Sequence, residues 1–122
     1  MDFKLAESPY RLMRIIWTNE PLTSMELAKL AQTELGWKRT TTYSVLKNLI
    51  TQGFCVNEDT VVRSLVTPEE VERYDSGRIA EQAKSRFNGS LPKFIATFVS
   101  NKGMTKEDAD EIIEILKKNF GE

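Results

Sequence analysis

Helix punctuation constrains this chain more than any other feature: start and stop signals cut it into short segments and leave one alternating stretch between them. Ser8-Pro9 sets a capping serine before a proline whose fixed φ suits a first helical turn. Asn19-Glu20-Pro21 ends that segment. Thr23-Ser24-Met25-Glu26 fits a capping box, in which hydroxyl and carboxylate satisfy each other's orphan backbone donors, so a second helix is expected to begin at Thr23 or Ser24. Gly36 closes it where a left-handed residue is wanted. A third helix is expected from Arg39 to Gln52, ended by Gly53. Thr67-Pro68-Glu69-Glu70 joins a cap, a proline and a capping-box glutamate, and predicts a helix to Phe87 with a bend at Ser76-Gly77. Asn88-Gly89 stops it, Ser90 opens a short helix and Thr105 a last one.

The apolar positions agree with this division. Leu12, Ile15 and Ile16 form a stripe on the first helix, and Leu27, Leu30 and Ala31 one on the second. Val45, Leu46, Leu49 and Ile50 do the same on the third. The runs Phe54–Asn57 and Val61–Val66 alternate with period two around Glu58-Asp59-Thr60, a hairpin signal. Cys55 is expected to face the core from the first run. Trp17 and Trp37 are expected to pack rather than stack on bases.

Three helices followed by a two-stranded hairpin is the order of a winged helix-turn-helix. The expected fold is therefore mainly α with a small β wing. A DNA-binding domain is expected over residues 1–66 and a helical dimerisation domain over residues 67–122.

Composition removes other classes. The 122 residues are 40% hydrophobic and 29% charged, as in a globular chain, and no apolar run is long enough to span a membrane or serve as a leader. A cytoplasmic protein is the expectation. With one cysteine and no histidine, an internal disulfide and a Cys/His metal site are excluded, and the commonest general base is missing. No cofactor, metal site or catalytic residue is therefore assigned. The net charge of −1 is unevenly placed: residues 1–66 hold eight Lys/Arg against seven Asp/Glu, with Lys38, Arg39 and Lys47 close together.

At about 100° per residue, Thr42, Leu46, Leu49 and Ile50 share one side of the third helix. Thr40, Thr41, Ser44, Lys47, Asn48 and Thr51 share the other, with Tyr43 at the boundary. A face of hydroxyls, an amide and a lysine, free of carboxylates, suits a groove lined with donors, acceptors and phosphates. Lys38 and Arg39 stand at the N-terminal end, where free N–H groups favour a phosphate. Arg63 on the second wing strand suits a backbone phosphate or the minor groove, whereas Glu58 and Asp59 oppose close approach of the tip. An adaptor that binds a protein through its winged helix is the competing reading, and it would carry exposed apolar anchors on that face.

In the second half, Ile79, Ala83, Phe87, Leu91, Phe94, Ile95, Phe98, Ile112 and Leu116 are the expected dimer contacts. About 55 residues in short helices offer apolar faces but little depth to bury them alone.

The stretch from Trp37 through Lys38-Arg39-Thr40-Thr41-Thr42-Tyr43-Ser44 to Leu49 resembles the recognition helix of the BlaI/MecI penicillinase-repressor family. The likeness continues through Gly53, Val61–Val66, Thr67-Pro68-Glu69-Glu70 and Phe87–Leu91 into the last helix. It implies a homodimeric repressor of double-stranded operator DNA with inverted repeats. It also implies a membrane metalloprotease-sensor as partner, cutting within the dimerisation region. The matching bond is Thr97-Phe98, with Thr97 where relatives have asparagine. The cysteine-rich tail of copper-responsive relatives has no counterpart in Lys117–Glu122.

Overall fold

Thr23 and Glu26 close their capping box as written. The Glu26 N–H donates to Thr23 Oγ1 at 3.0 Å, and the Thr23 N–H donates to Glu26 Oε1 at 2.8 Å. Helix α2 therefore starts at Ser24 and runs to Leu35. Gly36, at φ +71°, ends it and donates its N–H to Gln32.

Helix α1 (Glu7–Asn19) begins earlier than the Ser8-Pro9 signal places it. Ala6 takes the cap position in extended conformation, and the first helical bond runs from the Tyr10 N–H to the Ala6 carbonyl. Ser8 is thus inside the first turn and caps nothing. Glu7 offsets the missing cap, bringing a carboxylate to the helix's positive end and pairing with Arg11 at 3.2 Å. Pro9 is tolerated because its absent N–H is one of those a helix start leaves without a partner.

Helix α3 covers Arg39–Thr51. The wing follows, and it has three strands where two were expected. β1 (Leu22–Thr23) precedes α2, and β2 (Cys55–Glu58) and β3 (Val61–Ser64) form the hairpin, in the order β1-β3-β2 with both pairings antiparallel. A two-residue strand has too few positions to show alternation, which is why β1 escapes a periodicity argument. Asp59 and Thr60 turn the hairpin with positive φ at both positions, +53° and +68°, which matches the twist of the flanking strands. Such a conformation disfavours a β-branched threonine. Thr60 is held by its carbonyl, which accepts the Ser24 N–H at 3.0 Å.

The computed structural model describes residues 2–121, which fall into two compact units, Met1–Gly77 and Arg78–Glu122. The first has a true interior. Leu12, Met13, Ile16, Leu27, Leu49, Phe54 and Val62 are almost wholly buried, with Cys55 and Val71 among them. Val71 belongs to α4 (Pro68–Arg86), so the opening turns of that helix complete the first core. Its capping box forms between Thr67 and Glu70. The helix continues through Ser76-Gly77, where the sequence suggested a bend. Trp17 packs on the core and donates its indole N–H to the Val66 carbonyl at 2.9 Å.

The second unit holds the end of α4, then α5 (Leu91–Ser100) and α6 (Lys106–Phe120). Ser90 caps α5 by accepting the Lys93 N–H, and Thr105 and Asp108 form a capping box on α6. No residue of α5 or α6 is buried. Phe94 lies edge-on to Phe87, with centroids 5.5 Å apart, and 6.2 Å from Phe98.

Candidate nucleic-acid interface

The core fixes which side of α3 faces outward. Thr42, Leu46 and Leu49 are buried, and Val45 and Ile50 pack against the core beside them. That leaves Thr40, Thr41, Ser44, Lys47, Asn48 and Thr51 exposed along one flank, with Lys38 and Arg39 exposed at its start. Tyr43, 36% exposed, is the most exposed large apolar group of the helix, Val45 and Ile50 being part-buried. Thr42 is the one buried polar side chain in the described core, and its hydroxyl turns back toward the Lys38 carbonyl at 3.4 Å.

Two properties of this flank bear on an anionic ligand. Among the described residues, the hydroxyls of Thr40, Thr41 and Ser44 and the amide of Asn48 carry no intramolecular hydrogen bond, so their donors and acceptors are open. Thr51 differs, for its hydroxyl is engaged by the Lys47 carbonyl at 3.0 Å. Lys38, Arg39, Lys47 and Arg63 likewise enter no ion pair among the described residues.

The start of α3 is also electrostatically unlike that of the other helices. α1, α2, α4 and α6 each carry an acid in the first turn, and α5 has its Ser90 cap. α3 has neither: Lys38 occupies the cap position with no side-chain bond, and no acid lies in the first turn. Its leading N–H groups are left to an external acceptor, next to two cations.

On the wing, burial alternates along β3 and the two residues after it. Val62 and Val66 face inward, Ser64 is half-buried, and Arg63 and Leu65 point to solvent. Arg63 pairs across the ladder with Val56, two residues from the exposed Glu58. The wing thus presents one cation flanked at its tip by the carboxylates of Glu58 and Asp59. Cys55 lies inward, as its alternation predicts. Burial, and then the negative charge of Glu20, push its thiol up to about 11, so no reactive thiolate is available at neutral pH.

The residues expected at a dimer contact lie in the second unit in two states. Ile79, Leu91, Ile95, Phe98, Ile112 and Leu116 are exposed, together with Val99, Ile113, Ile115 and Phe120. Phe87 and Phe94 are half-covered by each other, and Ala83 is buried within the chain itself. Thr97 and Phe98 are exposed inside α5, where the Thr97 hydroxyl donates to the Lys93 carbonyl. The sequence reading missed Glu20, seen there only as a helix stop. In the fold its carboxylate binds Ser64, 44 positions along the chain, and no local pattern announces such a pair.

Comparison with known proteins places the chain in a family. The pattern of the penicillinase repressor family matches residues 5–118. The chain is also similar to the penicillinase repressor of Bacillus licheniformis, 22% identical over 118 residues, which is 95% of this chain and 91% of that relative.

Proposed function

The chain belongs to the penicillinase repressor family, and on that premise we propose that it is a homodimeric transcriptional repressor reading an inverted-repeat operator with α3 of each protomer. One observation carries the reading: the outward flank of α3 is polar, free of carboxylates and open in its hydrogen bonding, and it starts at an uncapped N-terminus beside Lys38 and Arg39. Lys38, Arg39 and Lys47 hold phosphates, and Arg63 holds one from the wing. Thr40, Thr41, Ser44 and Asn48 face base edges, with Tyr43 beside them. An adaptor is disfavoured, because Tyr43 alone offers an apolar anchor there.

The exposed apolar residues of α5 and α6 supply the dimer contact, which lets two half-sites share one association cost. Induction through a membrane protease-sensor would require the Thr97-Phe98 bond to leave the helix before cleavage, since α5 holds it in a hydrogen-bonded turn.

The test uses the full chain and a duplex selected by it from a random-sequence library, with a scrambled duplex of equal composition beside it. Thr41→Ala and Ser44→Ala are expected to lower affinity for the selected duplex by ~1–3 kcal/mol while sparing the scrambled one. Lys38→Ala and Arg39→Ala are expected to weaken both and to reduce the salt slope by about one. Equal losses on both duplexes for all four variants would overturn the assignment of base-reading residues.

A further inference from the structure

The wing is tied to the helices at a point where the sheet itself runs out. β1 pairs Leu22 with Val62 and Thr23 with Val61. Continuing that register by two residues sets Glu20 opposite Ser64, but Pro21 has no N–H to give and the strand ends at Leu22. Glu20 closes the gap with its side chain. Oε1 accepts the Ser64 N–H at 2.7 Å, and the Ser64 hydroxyl reaches Oε1 at 2.9 Å and Oε2 at 2.7 Å. The carboxylate thus stands where a neighbouring strand's carbonyl would stand, and charge-assisted bonds of this length are the strong kind. Glu20 is itself anchored, as its N–H bonds the Ile16 carbonyl at 2.8 Å at the end of α1. One turn earlier on the same helix, Trp17 binds the Val66 carbonyl. The end of α1 therefore grips the chain at Ser64, the last residue of β3, and at Val66 just beyond the strand.

Between and beside these grips lie the outward residues. Arg63 is next to Ser64, and it stands opposite Val56 in the β2–β3 ladder whose end Glu20 holds through Ser64. We propose that Glu20 and Ser64 are positioning residues for DNA binding, holding β3 so that Arg63 meets the operator; this rests on the repressor reading above. Neither side chain touches the nucleic acid. The buried Cys55, paired with Ser64 in the ladder and lying near the Glu20 charge, places the same carboxylate at the base of the hairpin.

The experiment combines hydrogen exchange on the free full-length protein with a double-mutant cycle on the selected duplex. Glu20→Ala is expected to speed exchange of the Ser64 amide and its hairpin neighbours by roughly tenfold or more, with α1–α3 core amides unchanged. It is expected to weaken operator binding by roughly tenfold, about the loss of one hydrogen bond to a charged group. In that background Arg63→Ala should bring no further loss, while Thr41→Ala keeps its whole effect. A general loosening of the fold would instead blunt both. Ser64→Ala should behave as a weaker Glu20→Ala, and Ser64→Thr, which keeps hydroxyl and N–H, should behave as wild type.

Independent, multiplying losses for Glu20→Ala and Arg63→Ala would overturn the proposal, as would hairpin exchange that Glu20→Ala leaves untouched. Should the wild-type chain select no duplex at all, the repressor reading falls and the DNA-positioning role with it. The exchange measurement then reports separately whether the clamp holds the wing.

Discussion

The two compact units spend their apolar residues in opposite ways. In the first, Leu12, Met13, Ile16, Leu27, Leu49, Phe54 and Val62 disappear into one interior, and what remains outside on α3 is polar. In the second, α5 and α6 bury nothing, and Leu91, Ile95, Phe98, Ile112, Ile113, Ile115 and Leu116 all reach solvent. The same residue types and the same quality of helix capping therefore yield a self-sufficient domain in one case and an unfinished surface in the other. Amphipathicity orders a helix but does not say whose core its stripe will enter. In the first unit four helices and a sheet converge on one set of side chains. In the second, α5 and α6 have no such common interior, and the dimer contact proposed above would supply one.

The contrast breaks most visibly by division of the chain. A fragment ending at Gly77 keeps Val71 and hence the whole first core, so it should stay folded yet sediment as a monomer. Its affinity for a full inverted repeat should fall by roughly 10²–10⁴, because its two heads no longer arrive together. A fragment that still dimerises would place the association surface in the wrong unit.

Single substitutions sharpen the comparison at smaller scale. Leu12→Ala opens a cavity in a complete core and should destabilise the first unit by about 2–5 kcal/mol, read as a lower unfolding midpoint that is independent of protein concentration. Leu116→Ala removes the same atoms from an exposed position. It should leave that transition in place and shift the monomer–dimer balance, visible in sedimentation over a concentration series. Matching effects from the two variants would mean that the units are built alike.

The smallest effect concerns a cap. Thr23→Ala should cost about 1 kcal/mol, since it orphans the Glu26 N–H. Glu26 gives the same box a pH signature. The Thr23 N–H, and then its hydroxyl, hold the Glu26 carboxyl below its ordinary 4.5. A carboxyl depressed in the folded state stabilises the fold above that value and loses the contribution as pH falls through the lowered one. The unfolding midpoints of wild type and Glu26→Gln should accordingly differ at neutral pH and draw together as pH falls from 4.5 through the lowered value.

Much of this was legible in the residues alone, and the pattern of success is physical. The boxes at Thr23 and Thr67 and the stops at Gly36 and Gly53 are local chemistry, settled within a few positions of chain. The outward flank of α3 followed from its period, because Leu46 and Leu49 leave no freedom in how the helix rolls. Local signals misled where two competed, as at Ser8, where Glu7 and an extended Ala6 start the helix first. They were silent where partners lie far apart. The Glu20–Ser64 clamp joins a helix end to a strand, and β1 exists only because β3 passes beside Leu22 and Thr23.

Cys55 gives the wing a chemical lock with a single key. Its thiol is shut inside the first core and held protonated by its surroundings, so thiol-directed oxidants and electrophiles in bulk solvent find no thiolate on the intact chain. Modification at that sulfur has to wait for β2 to come away from β3 and α3. The protein's sensitivity to thiol chemistry is therefore set by how often the hairpin opens, and an oxidant reaches this one sulfhydryl only through the molecule's own breathing.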